Sequence, residues 1–195
     1  MRVIGRLSPA ASATAAVLIA LVLLTVAQAA QHDPPRKSHI KNFGCVNESY
    51  YRGAQPKERD YEGLARMGIK TIIDLQREGE ADEKQMVEAA GMKFYRIPMG
   101  DKSWPGAGQA EEFLKLVNDP ANQPVFVHCR GGRHRTGAMT AVYRMTRNEW
   151  TADQAYQEMK QYDFEYGYGH GPLKDYVYAY YSRMIRKDAA VTSTK

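Results

Sequence analysis

Cysteine is scarce in this chain: Cys45 and Cys129 are the only two in 195 residues. That excludes the disulfide-stapled class of small secreted folds and turns attention to a cysteine used as a thiolate. Beyond the stretch around Cys129, no histidine, cysteine and carboxylate set recurs at a metal-ligand spacing, so neither a metal nor a cofactor is expected. Charge of one sign is not in large excess. The formal net charge is +5, with Arg2 and Arg6 supplying two of those cations, and so mild a surplus argues for no nucleic-acid partner. There is no internal repeat, and only one long hydrophobic run.

That run opens the chain. Arg2 and Arg6 form a basic start, Ala15 to Ala27 an apolar centre, and Ala27-Gln28-Ala29 a small-x-small pattern. Residues 1–29 therefore read as a secretory signal cleaved after Ala29, which implies an exported protein, periplasmic or secreted. The alternative is an uncleaved anchor: Pro9 to Ala30 carries no charge and is nearly long enough to span a bilayer. If the signal is cleaved, no stable membrane insertion is expected, since no second hydrophobic stretch follows.

The remainder, with 44% hydrophobic and 25% charged residues over the whole chain, is enough for one globular core. Residues 30–41, with Pro34-Pro35, read as a linker, 42–187 as a single domain and 188–195 as a flexible tail. Within the domain, short extended pieces fill 42–56. Helices are expected over Asp60–Met67, Glu80–Ala90, Gln109–Val117, Thr151–Tyr162 and from Pro172 onward. Strands are expected over Ile69–Leu75, Lys93–Ile97 (broken at Pro98) and from Val125. Strands alternating with helices imply an α/β domain, a mostly parallel sheet with helices on both faces and its ligand at the carboxyl ends of the strands. Eight of the 13 tyrosines lie between Tyr156 and Tyr181, where their spacing suits helix packing. Nothing in the pattern fixes an oligomeric state.

The stretch that carries chemistry runs from Val125 to Gly137. A buried β-branched strand leads into Cys129, two glycines follow, and Ala138, Ala141, Val142 and Met145 then recur at helical offsets. A glycine-rich turn between a strand and a helix N-terminus aims backbone N–H groups inward and forms a cradle for phosphate. The same field, with Arg130, Arg133, His134 and Arg135, lowers the thiol pKa of Cys129. Arg135, after five intervening residues, can grip two phosphoryl oxygens at once, as lysine cannot.

His128-Cys129-x5-Arg135-Thr136-Gly137 resembles the signature of the cysteine-dependent protein tyrosine phosphatase superfamily, closest to its small dual-specificity branch. Tyr50 to Pro56 is similar to the opening segment of the small bacterial members. A rhodanese-type sulfur carrier also loops around a cysteine, but with one residue fewer before the basic position. The resemblance implies a phosphoric monoester hydrolase with Cys129 as nucleophile, Arg135 as phosphate clamp and Thr136 assisting hydrolysis of a phosphocysteine. It implies substrate contacts from Arg130, Gly131, Gly132, Arg133, His134 and Gly137, and loop support by the His128 ring through backbone hydrogen bonds. For His134, a solvated surface position is as consistent as substrate contact. Asp101, on a loop after the Lys93 strand, is the expected proton donor, with Asp163 and Glu165 as its rivals. The expected partner is a phosphorylated protein, or alternatively a phosphorylated lipid or inositol, because the loop is more basic than one phosphotyrosine requires. A phosphate-binding module without activity is the reading from a different class, and it would have lost Cys129, Arg135 or the acid.

Overall fold

Consecutive side chains of a strand leave the sheet on opposite faces, and three apolar pairs of this chain divide in that way. Tyr50, Ile73 and Val127 enter one core, while Tyr51, Ile72 and Phe126 enter the other. The sheet between them has five strands, β1 (Gly44–Asn47), β2 (Tyr50–Ala54), β3 (Thr71–Gln76), β4 (Lys93–Met99) and β5 (Val125–Cys129). Their order is β1-β2-β5-β3-β4, and every neighbouring pair is parallel except β1 with β2. The computed structural model describes residues 39–193. The segment expected as a signal or anchor, residues 1–29, and nearly all of the linker lie outside the described residues.

The second core is covered by helices α1 (Glu58–Arg66) and α2 (Glu83–Ala89), through Tyr61, Leu64 and Val87. The first is covered by α3 (Gln109–Asn118), α4 (His134–Arg147), α5 (Ala152–Gln161) and α6 (Gly171–Ser193). The expected α/β architecture with helices on both faces is the one observed. Local signals set several boundaries. Gly68 and Gly91 stop α1 and α2 in the left-handed region, at φ 84° and 79°. At the start of α5 the Thr151 hydroxyl accepts from the Gln154 N–H at 3.2 Å, and the Gln154 side chain accepts from the Thr151 N–H at 2.9 Å.

Beyond shifts of one or two residues at other ends, three boundaries differ from the sequence reading in ways that bear on the fold. Strand β4 does not break at Pro98 but runs on to Met99. It is an edge strand, and a proline without an N–H is tolerated there. Helix α2 begins at Glu83 instead of Glu80, and the Glu80 carbonyl accepts from Arg96 at 3.0 Å. Helix α6 continues to Ser193, through most of the stretch expected as a tail.

Strand β5 lies at the middle of the sheet. Tyr50 to Ala54 of β2 pair with Val125 to Cys129 on one side, and Thr71 to Asp74 of β3 pair with Val125 to His128 on the other. Cys129 thus ends the central strand at the carboxyl edge. Cys45, the other cysteine, pairs with Tyr51 in β1, and Tyr51 pairs with Phe126, three residues before Cys129. Two strand spacings of about 4.8 Å and three residues of about 3.3 Å separate the two cysteines. That distance is well beyond the roughly 7 Å between Cα atoms that a disulfide can bridge. Cys45 therefore cannot act as the oxidation partner of Cys129 in this fold.

Candidate active site

The turn after Cys129 is held from outside by its own carbonyls. The Arg130 carbonyl accepts from the Gln55 N–H at 3.4 Å, the Gly131 carbonyl from Asn42 Nδ2 at 2.8 Å, and the Gly132 carbonyl from Arg52 Nη2 at 2.7 Å. Three successive carbonyls drawn toward β2 and the segment before β1 leave the peptide N–H groups of the turn to face the other way, over the sulfur. Gly132 makes the approach possible. It sits at φ 66°, and a Cβ there would collide with the Gly53 and Ala54 backbone of β2. Helix α4 starts two residues later and adds its N-terminal donors to the same concavity.

Arg52 is fully buried. Its guanidinium lies over the Tyr162 ring, 3.9 Å from the centroid, and its Nε and Nη1 have no hydrogen-bond partner among the described residues. Among the described residues it forms no ion pair with a carboxylate. Burial pulls its pKa down, opposed by the charges of Tyr50, Tyr162, Glu158 and Cys129. A buried cation without a directly paired carboxylate is costly, and the anions that favour its charge from a distance are the Glu158 carboxylate and the Cys129 sulfur.

Cys129 itself is buried. Burial alone would push its thiol up, but the Thr136 hydroxyl, the Arg135 charge and the N–H groups of Thr136 and Gly132 outweigh it, and the net direction is down. The Thr136 hydroxyl makes no other hydrogen bond among the described residues, so it is free to serve the sulfur. Arg135 Nη1 donates to the Met99 carbonyl at 3.3 Å, and its buried Nε has no protein partner among those residues.

Behind Cys129, His128 is fully buried and makes no backbone hydrogen bond through its ring, contrary to the role expected for it. Its Nε2 lies 2.9 Å from Glu83 Oε1 and its Nδ1 3.8 Å from Asp74 Oδ1, out of line for hydrogen bonding but close enough for charge attraction. Arg96 completes the group, 2.8 Å from Asp74 and 3.5 Å from Glu83. Tyr61 and Gln55 both donate to Glu83 Oε1 at 2.8 Å. Burial would strip the proton from His128, yet Glu83, Asp74 and Cys129 outweigh it and raise the pKa of the ring. Burial likewise raises Glu83, and His128, Tyr61 and Gln55 bring it below the ordinary range. Two carboxylates face two cations, and the cluster is balanced.

Sequence spacing did not disclose this cluster, because its members come from four elements, β3, α2, β4 and β5. Asp74, Glu83 and His128 each bring one possible ligand atom within 4.8 Å of the others. With Arg96 already paired to both carboxylates, the donor set is that of a charge-compensated core and fits a metal ion poorly.

The cleft above the loop, about 190 Å³, is lined by Gln76, Arg77, Glu78, Met99, Gly100, Asp101, Arg130 and Arg135. Asp101 is thus brought to Arg135, whereas its rivals Asp163 and Glu165 do not line the cleft. Of the expected substrate contacts, Arg130 lines it. Arg133 does not: it pairs with Glu165 at 3.5 Å on another side of the loop. His134 is half-buried and does not line the cleft. Its ring stacks on His170, centroids 3.5 Å apart at 11°, and meets Phe164 edge-on at 5.3 Å. Burial, His170 and Arg133 lower its pKa to about 4, so it is neutral near pH 7. Gly137 belongs to helix packing. Its N–H is bonded to the Arg133 carbonyl at 3.1 Å, and a Cβ there would touch Met159.

A strand, a nucleophile-bearing turn and a helix of this form have known relatives. Residues 35–169 match the model described as a DSP-PTPase phosphatase fused to NAD+ kinase. The chain belongs to this phosphatase family. Among curated relatives, inositol diphosphatase SIW14 of Saccharomyces cerevisiae is 28% identical over 130 residues, 64% of this chain and 46% of that one. "Probable tyrosine-protein phosphatase DG1060" of Dictyostelium discoideum is 29% identical over 138 residues, 68% of this chain and 80% of that one. The chain therefore spans about half the length of the yeast relative. The solved catalytic core of the same yeast phosphatase, 24% identical, superposes with a TM-score of 0.66 over 81% of this chain and 96% of that one. TpbA of P. aeruginosa, 23% identical, superposes at 0.62 over 73% and 86%. At that identity the two structures speak for the fold, which is that of the family.

Sequence reasoning on the phosphatase signature missed the residues that hold it in place. Asn42 carries no motif-level signal, and Gln55 lies in the Tyr50 to Pro56 segment, whose resemblance assigned it no role. Arg52 offered a signal, as an arginine inside an otherwise apolar strand beside a glycine. Arg52→Met keeps length and removes the donors, and hydrogen bonds to charged groups are worth about 1.5–3 kcal/mol. The variant is expected to lose at least about tenfold in kcat/KM toward an aryl phosphate, the equivalent of about 1.4 kcal/mol. The Cys129 titration, followed by the ultraviolet absorbance of the thiolate, should move upward. A variant with wild-type rate and titration would show that the turn needs no anchor at Gly132.

Proposed function

We propose that the protein is a phosphoric monoester hydrolase of the tyrosine and dual-specificity type, working through a phosphocysteine. The observation that carries this is the Cys129 sulfur, drawn toward the thiolate at the base of a turn whose carbonyls are all pulled outward, with Arg135 beside it. Cys129 Sγ attacks phosphorus and the bond to the leaving oxygen breaks. Arg135 and the loop N–H groups hold the equatorial oxygens as charge redistributes. Asp101 gives its proton to the leaving oxygen. In the second step its carboxylate takes a proton from water as that water attacks the phosphocysteine and expels the thiolate. Cys129→Ser is expected to abolish turnover of an aryl phosphate while the fold survives. Asp101→Asn should slow an alkyl phosphate far more than an activated aryl phosphate, whose leaving group scarcely needs a proton. Residual turnover by purified Cys129→Ser would end the nucleophile assignment, and equal losses on both substrates would end that of Asp101.

A second reading of the substrate is favoured by the cleft. Arg77 and Arg130 line it together with Arg135, and neither forms an ion pair among the described residues. Phosphorylated protein remains the first choice, supported by the tyrosine phosphatases among the relatives, and a substrate with several phosphates is the alternative, supported by the inositol diphosphatases. The two are separable through Arg77→Ala with Arg130→Ala. For a phosphotyrosine peptide these cations supply weak, salt-screened attraction, and the loss in kcat/KM should stay below about tenfold. For an inositol polyphosphate the loss should be larger and should shrink as salt rises. Equal losses would remove the polyphosphate reading.

The place of action we infer from residues 1–29 alone is outside the cytoplasm, periplasmic or secreted. A mature protein beginning at Ala30, read by N-terminal sequencing after expression with its full leader, is the expected result. Retention of Met1 or Arg2 on membranes would favour the anchor.

A further inference from the structure

The glycine-rich turn at residues 167–171 has no part in the mechanism above, yet it meets both loops that do. His170 Nδ1 lies 2.9 Å from the Asp101 main-chain oxygen. A carbonyl only accepts, so Nδ1 carries the hydrogen and donates. The other side of the ring stacks on His134, the first residue of α4, with centroids 3.5 Å apart and planes at 11°. His134 is in turn backed by Phe164. Around this contact the loop after β4 leans on the same part of the chain, since a Cβ at Gly169 would meet the Lys102 side chain at 3.2 Å and Trp104 meets Tyr176 edge-on at 5.7 Å.

The loop that bears Asp101 is consequently fastened at two backbone oxygens two residues apart. Arg135 of the phosphate loop takes the Met99 carbonyl, and His170 takes the Asp101 carbonyl. With both fixed, the Met99–Gly100–Asp101 backbone has little freedom to rotate, and the Asp101 side chain is left lining the cleft. The stack on His134 sets His170 at a constant distance from the phosphate loop, so the acid is positioned relative to the phosphorus it must serve. We propose that His170 is the positioning residue of the acid loop. Its ring touches no reacting atom and acts through Asp101. This rests on the reading of Asp101 as the proton donor.

Misplacement of a catalytic group by 1 Å can cost as much as about 10²-fold, so a loop released at one of two anchors should lose about tenfold. His170→Ala is expected to lower kcat for an alkyl phosphate by that amount. Its loss on an activated aryl phosphate should be at least fivefold smaller, with KM little affected and the Cys129 thiolate titration unmoved. His170→Asn, which keeps a donor near the Nδ1 position, should recover most of the lost rate. In the double variant with Asp101→Asn, removal of His170 should add nothing further on the alkyl substrate. Asp101→Asn alone, run beside them, separates the two ideas. If it shows no leaving-group dependence, the acid reading falls and this inference with it. If it does, and His170→Ala loses equally on both substrates, loses on neither, or shifts the Cys129 titration, the inference alone is overturned, and the His134 stack then serves only the phosphate loop.

Discussion

Everything at this site depends on three carbonyl oxygens being turned away from it. A peptide unit that points its oxygen out of a tight turn points its N–H inward, so holding the carbonyls of Arg130, Gly131 and Gly132 from behind is what aims the donors. Glycine gives the turn its shape but does not by itself choose a direction. The choice is made by Arg52 on β2, Gln55 just past its end and Asn42 before β1, and the first two reach the turn because β2 is the parallel neighbour of β5. The order of strands is in this sense part of the site. A different neighbour for β5 would leave the same ten-residue signature without its anchors.

The legibility of the chain follows the same division between local and distant. Cys129, Arg135 and Thr136 could be read because their spacing along one turn fixes their relation. The cores were readable too, since pairs such as Ile72-Ile73 and Phe126-Val127 carry the period of a strand buried on both faces. The anchoring role of these residues was not readable, since Asn42 and Arg52 reach the turn from 89 and 80 residues away. Arg133 shows how a local pattern can mislead. Two arginines set symmetrically about two glycines look equivalent on paper. Gly132 at φ 66° and the start of α4 at His134 send the second toward Glu165 and leave the first on the cleft. Arg77, unmarked in sequence, takes the place expected for Arg133.

The role of His128 was misjudged for a related reason. As the residue before the nucleophile on a central strand, it must point into the layer between β5 and the helices of the second face. What it meets there is set by β3 and α2. The sheet register puts Asp74 opposite His128, and α2 brings Glu83 alongside. An unpaired carboxylate in that layer would be costly, and so would an unpaired cation. Arg96 from β4 and a protonated His128 settle both, so the cluster is a condition for burying either charge.

The thiolate then has company on two strands. Arg52 on β2 and His128 on β5 are both fully buried, and both gain from the Cys129 charge. Attraction between charges is mutual, so each also favours the ionised sulfur. Neither faces the cleft, because one is held between the Gly132 carbonyl and the Tyr162 ring and the other beside Glu83 and Asp74. Arg135 differs. It faces the cleft, and its charge is shared between the sulfur and whatever anion enters. In the mechanism proposed above, a phosphoryl group draws on Arg135, and the sulfur loses part of that support at the moment it must still be a nucleophile. In that mechanism Arg52 and His128 are the part of the field that stays, and their place in the sheet lets Arg135 act on phosphate without returning the proton to Cys129.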